Sequence, residues 1–218
     1  MSQIRAVHFL TMTDQIPGRT AATAEEIVAA TRHWIETAVI GLDLCPFARA
    51  VYTGRLIRYA ISQAATPEDL LTDLLHELRV LAAADPADIE TTLLIHPWVL
   101  GDFLDYNDFL DVADAALDNL GLAGILQVAS FHPQYQFAGT APDDIENYTN
   151  RSPYPILHLL REASVERAVA AFPDAAEIYE KNIATLRSLG HAGWERLGER
   201  RVSPVGARSG RSRRDPPR

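Results

Sequence analysis

A chain of 218 residues with 47% hydrophobic side chains can build one sizeable core. It contains no apolar run near the roughly 20 residues that a membrane span needs, and its single cysteine, Cys45, excludes an internal disulfide and points to a reducing, cytoplasmic compartment. Net charge is −9, but residues 200–218 hold seven arginines and one acid; 1–199 keeps thirteen basic and twenty-eight acidic residues, a net of −15, which argues against nucleic acid as a partner of the folded part.

Residues 1–22 are expected to be an N-terminal leader or loop, polar around Pro17-Gly18 and without the apolar region of a signal peptide. A single α/β domain is expected over 23–199. Thr23-Ala-Glu-Glu26 has the pattern of a capping box, and Ile27, Trp34, Ile35, Ala38, Val39 and Leu42 follow at helical spacing. Cys45-Pro46 lies in a turn. Arg55 to Ile61 alternates and predicts a half-buried strand. Thr66-Pro67-Glu68-Asp69 is a helix start, and a leucine stripe runs from Leu70 to Leu81. Thr91 to Ile95 is a short apolar strand of the central, doubly covered kind. A third helix is expected, capped by Asp105 or Asn107 and closed by Gly121, followed by a strand from Ile125 to Phe131. A fourth helix is expected from Ser152-Pro153 to about Ala171, and a fifth from Pro173-Asp174 to about Leu189. Strand and helix alternate, which predicts an α/β fold: a small, at least partly parallel sheet of three or more strands packed with about five helices. The arginine-rich end, 200–218, has a composition that cannot build a core and is expected to be disordered.

Phosphate-binding glycine loops, His-Glu-x-x-His, Cys-x-x-Cys and the Gly-x-Ser-x-Gly elbow are all missing from the sequence, which weighs against nucleotide, dinucleotide and common hydrolase chemistry. A recurring pattern remains. Leu93-Leu-Ile-His96-Pro97 and Ala129-Ser-Phe-His132-Pro133 both end a strand in His-Pro, and ligands of open α/β sheets gather outside the carboxyl ends of strands. Structural hydrogen bonding would also explain each histidine. Cys45 reads as a nucleophile, a metal ligand or a small buried hydrophobe. The stretch His132–Ser152 is long for a loop without regular structure, and such loops are often functional. Tyr135, Tyr148, Asn150 and Arg151 in it suit an oxygen-rich, anionic ligand, with Arg151 beside the expected helix start; the competing reading pairs Arg151 with Asp143 or Asp144. His158 and Glu162, four apart on the expected fourth helix, read as an exposed pair, or as metal or acid–base partners.

Five segments together carry a resemblance: 41–48 (GLDLCPFA), 91–97 (TTLLIHP), 102–110 (DFLDYNDFL), 126–140 (LQVASFHPQYQFAGT) and 150–162 (NRSPYPILHLLRE). Over about residues 25–190 the chain resembles the bacterial family of unknown function numbered 1415. The resemblance implies a recurring domain and brings no reaction or catalytic residue with it. Three functional expectations follow from the residues. The first is a small-molecule enzyme acting on an anionic metabolite, with Cys45 activated by His96 or His132 at the strand carboxyl ends and substrate held by Arg151. The second is a zinc or iron protein using His96 and His132 with Asp102 or Cys45. The third is a non-catalytic ligand-binding or interaction module.

Overall fold

A computed structural model of the protein describes residues 22–171 and 175–198. The expected leader to residue 21, the Pro173-Asp174 helix start and the tail 200–218 lie outside the described residues.

The first helix, α1 (Ala24–Trp34), starts at the capping box: the Thr23 hydroxyl accepts from the Glu26 amide at 3.2 Å, and the Glu26 carboxylate accepts from the Thr23 amide at 2.8 Å. It runs on into one wide turn, Ile35–Val39, in which the Ile40 amide bonds five residues back to the Ile35 carbonyl at 2.8 Å. A short helix absent from the sequence reading, α2 (Ala48–Thr53), follows the Cys45 turn. Next come β1 (Ile57–Ile61), α3 (Pro67–Ala83), β2 (Thr91–Ile95), α4 (Phe103–Leu120), β3 (Leu126–Phe131), a 3-10 helix (Ile145–Asn150), β4 (Ile156–Arg161), α5 (Glu162–Ala171) and α6 (Ala175–Gly198).

The expected mixed α/β architecture is present, with a four-stranded sheet in the order β1-β2-β4-β3. β1 and β2 are parallel, while β4 pairs antiparallel with both β2 and β3. β2 is central and wholly buried, as its unbroken apolar run requires. One face of the sheet carries Leu94, Leu157 and Leu159 into a core with the leucines of α3 and the Tyr106, Phe109 and Ala113 stripe of α4. The other face carries Leu93, Ile95 and Ile156 against Ile27 and Ile35 of the first helix. The sheet is therefore a middle layer between helices.

Two sequence expectations are corrected. The segment after Ser152-Pro153 is strand β4, not helix, and only Glu162 onward is helical. Ile156-Leu-His-Leu-Leu160 is apolar on both sides because both faces of β4 are covered. A doubly buried strand loses the alternation that would distinguish it from a buried helix. His158 is thus in the sheet, with Nε2 bonded to the Thr91 hydroxyl at 2.8 Å, and makes no helical pair with Glu162. The cap of α4 is Asp102, whose Oδ1 accepts from the amides of Leu104 (2.8 Å) and Asp105 (3.3 Å), and not Asp105 or Asn107.

Arg161, the last residue of β4, explains how this strand is locked to α3. One terminal nitrogen of its guanidinium faces the carbonyls of Leu81 and Ala84 at 2.8 Å and of Ile89 at 3.0 Å. These oxygens lie at the end of α3 and in the turn after it, where carbonyls lack helical partners and the dipole favours a cation. Arg161→Met should keep the apolar stem and lose these contacts, lowering stability by about 2–3 kcal/mol. Urea denaturation reads the loss, and an unchanged midpoint would show that water serves the three carbonyls equally well.

Candidate functional site

β2 and β3 run in the same direction on either side of antiparallel β4, so His96 and His132, each one residue past its strand, come to the same rim. Both are fully buried. Tyr106 of α4 lies in contact with both: its ring centroid is 5.7 Å from that of His96 and 5.1 Å from that of His132. The Tyr106 hydroxyl donates to the Ile156 carbonyl at 2.8 Å and accepts from the Phe131 amide at 3.1 Å, joining the start of β4 to the end of β3.

The hydrogen bonds set the state of each imidazole. The Gln134 amide donates to His132 Nδ1 at 3.0 Å, so this nitrogen is an acceptor and Nε2–H donates to the Leu100 carbonyl at 3.2 Å. His132 is neutral, and both its nitrogens are occupied. Burial holds it below the ordinary imidazole range, against the Leu100 carbonyl and the Asp102 charge, which act the other way. His96 Nδ1 bonds to the Val99 carbonyl at 3.1 Å, and Nε2 is buried without a partner. Burial pushes His96 down to about 4, which keeps it neutral. The two histidines thus pin the carbonyls of Val99 and Leu100 in the loop after β2. There Leu100 takes φ 55°, a left-handed conformation that a side chain with Cβ disfavours by about 1–2 kcal/mol.

Cys45 lies in the turn that precedes α2. Its turn follows the wide turn of the first helix: the Cys45 amide bonds to the Val39 carbonyl at 3.4 Å, and the neighbouring Leu44 carbonyl accepts from Asn182 of α6 at 2.9 Å. The thiol is partly exposed, and no hydrogen bond joins it to either imidazole. Among the described residues Cys45 thus makes no hydrogen-bonded pair with His96 or His132. Nor do His96, His132 and Asp102 fit a zinc or iron ion. His132 has no lone pair to offer, Asp102 is engaged in capping α4, and no three His, Cys, Asp or Glu side chains among the described residues are placed to share a metal.

The loop 132–152 is organised from within. Asn147, fully buried, accepts from the Phe137 amide at 3.0 Å and the Thr140 hydroxyl at 2.8 Å, and donates to the Ala141 carbonyl at 2.8 Å. Asn150 donates to the Ser130 carbonyl at 3.1 Å, and the Tyr135 ring packs on Phe103 and Phe137. Asn150 and Tyr135 thus serve the loop's own structure. Tyr148 and Arg151 also face a cleft of about 730 Å³.

The cleft has three walls. The sheet rim supplies Pro133 and Arg151–Tyr154. The first helix supplies Glu26, Ala30, His33, Trp34, Thr37 and Ala38, one stripe at helical spacing. The last turns of α6 supply Trp194, Leu197 and Gly198. The neighbouring stripe of the first helix, Ile27, Thr31 and Ile35, is buried on the sheet. The Arg151 guanidinium lies 4.1 Å from the centre of the Tyr148 ring, and donates to the carbonyls of Tyr135 (3.3 Å) and Pro142 (2.6 Å). It pairs with neither Asp143 nor Asp144, and no ion pair to it exists among the described residues.

Sequence reasoning missed Trp34, His33, Tyr154 and Trp194. Trp34 reads as part of the apolar stripe, and Trp194 lies past Leu189, where the fifth helix is expected to end; the chain does leave helical geometry there, at Gly190, and a further helical segment follows to Gly198. The available signal was the second stripe of the first helix, 26-30-33-34-37, which carries a histidine and a tryptophan beside the stripe that packs on the sheet.

A family model described as a protein of unknown function (DUF1415) matches residues 26–196, most of the chain. No curated protein and no solved structure matches the chain.

The state of His96 has a measurable consequence. The unfolded chain takes up a proton near the ordinary value of about 6.5, and the folded protein does not until about pH 4. The contribution of the neutral His96 to stability is therefore complete above pH 6.5 and shrinks as pH falls toward 4, by about 1.4 kcal/mol per pH unit. In an NMR titration the C2 proton of His96 should stay at its neutral shift from pH 8 to pH 5. A midpoint near 6.5 would mean that this ring reaches water.

Proposed function

This chain belongs to the DUF1415 family, and we propose that it binds an anionic small molecule with an apolar or aromatic body in the cleft between the first helix, the strand rim and α6. The observation that carries this reading is Arg151. It is a cation without a carboxylate partner, set in the wall of a cleft of about 730 Å³, in a chain whose residues 1–199 carry a net −15. Two carbonyls and the Tyr148 ring fix the guanidinium in place, so a ligand carboxylate or phosphate would meet a pre-oriented donor.

Trp34, Tyr148, Tyr154 and Trp194 give the cleft its apolar lining, and an ion contact screened from water by such walls is stronger than one at the surface. His33 also lines the cleft, and its Nε2 donates to the Leu197 carbonyl at 2.9 Å. The wide helical turn that carries Thr37 and Ala38 supports the same reading, since such turns recur at functional sites. Recognition of an anionic metabolite is retained from the sequence expectation and moves from the Cys45/His pairing to this cleft. The single cysteine and the acidic body favour a cytoplasmic protein whose folded part does not bind nucleic acid.

Two of the three tryptophans of the chain line the cleft, so binding is readable by fluorescence. A panel of aromatic and aliphatic carboxylates and phosphate monoesters should contain compounds that quench this emission and raise the melting temperature. Arg151→Gln should weaken their binding by roughly tenfold or more, the usual worth of one charge-assisted hydrogen bond. Equal affinity in both proteins, or a preference for neutral compounds, would remove the anion from the proposal.

A further inference from the structure

The third wall of the cleft is built differently from the other two. α6 is two helical segments joined across a kink at Gly190, which has φ 64° and ψ 173°. That region is essentially closed to any residue with a Cβ. No atom lies within 4 Å of where a Gly190 Cβ would be, so glycine is required there by the backbone and not by crowding. Gly193, one turn on, is buried, and a Cβ on it would stand 2.6 Å from the Leu189 side chain. The helix thus breaks at Gly190.

The two sides of the break are held in different ways. Before it, Leu186 is fully buried and Arg187 pairs with Glu146 of the 3-10 helix, with Nε to Oε1 at 2.9 Å. After it, two histidine–carbonyl bonds and two edge-on ring contacts with Tyr148, one from His191 at 5.4 Å and one from Trp194, hold residues 191–198. His33 Nε2 meets the Leu197 carbonyl at 2.9 Å, His191 Nε2 meets the Asp143 carbonyl at 2.8 Å, and Trp194 stands edge-on to Tyr148 at 5.2 Å. Trp194, Leu197 and Gly198 are the residues of this arm that line the cleft. Neutral hydrogen bonds at partly exposed sites are worth about 1 kcal/mol each, so this arm can open while the arm before Gly190 stays anchored.

We propose that residues 191–198 are a lid, hinged at Gly190, that opens to admit ligand and closes over it with Trp194 against Tyr148. The proposal rests on the reading of the cleft as a binding site for its purpose, but not for its test. The lid predicts a step in motion along α6. In hydrogen exchange on the full chain without ligand, amides 191–198 should exchange together, about tenfold or more faster than 178–189, with the change at Gly190. Gly190→Ala, which meets no steric obstacle, should favour a continuous helix and displace the arm. Iodide should then quench Trp194 about twofold or more strongly, with protection in 178–189 and in the sheet unchanged. Three results would overturn the lid: uniform protection through 175–198, a gradual decline toward 198 without a step (simple fraying), or a Gly190→Ala variant whose arm and Trp194 behave as in the wild type. These measurements use no ligand, so their outcome is independent of whether Arg151 binds an anion.

Discussion

The Tyr106 hydroxyl is the point on which the strand-end rim depends. It is buried, and it closes two backbone groups at once, the Ile156 carbonyl at the start of β4 and the Phe131 amide at the end of β3. A buried hydroxyl without partners would cost about 1–3 kcal/mol, and so would each backbone group that it serves. The tyrosine can sit there only if strand start, strand end and α4 are in register. Its ring then packs beside two imidazoles, which in turn hold the loop after β2. The rim is therefore a polar network sealed inside an apolar core, and its members are constrained because each is another's partner.

The same network explains why the most conspicuous residues are not the ones that face the cleft. His96 and His132 mark the correct end of the sheet, but their nitrogens are turned into the backbone or buried. The open space lies on the other side of the rim, where the chain enters β4 through Arg151–Tyr154. The sheet supplies a rigid edge, the first helix a fixed wall, and α6 a wall attached through a glycine break. The cation stands at the strand rim, and the aromatic lining is shared among the first helix, the rim and α6.

Much of the fold is legible residue by residue. Thr23 with Glu26, Thr66 with Pro67 and Gly121 at φ 66° stand where helix starts and ends were read from them. The unbroken run 91–95 is the buried central strand. These signals are local: a cap bonds to an amide two or three residues away, and a doubly covered strand has no polar side. β4 is the instructive failure. Pro153 after Ser152 has the form of a helix start, and Ile156–Leu160 suits either structure, so its identity rests on β2 and β3 lying on both sides of it. In the same way, Arg161 reads as a helix surface residue until the end of α3 is seen to need its charge.

The sequence by itself determined the helix caps, the central strand, the mixed α/β class, the acidic body and the shared rim of His96 and His132, because each follows from spacing, composition or chain direction. Tertiary structure decided the rest: that β4 enters between β2 and β3, that His132 spends both nitrogens and His96 its Nδ1 on backbone, and that Arg151 meets Tyr148, Trp34 and Trp194 around one cleft. The physical reason is distance along the chain. Arg151 and Tyr148 are close in sequence, but Trp34 and Trp194 come from the first and last described helices, and side chains so far apart are brought together only by the packing of elements, which no local pattern encodes.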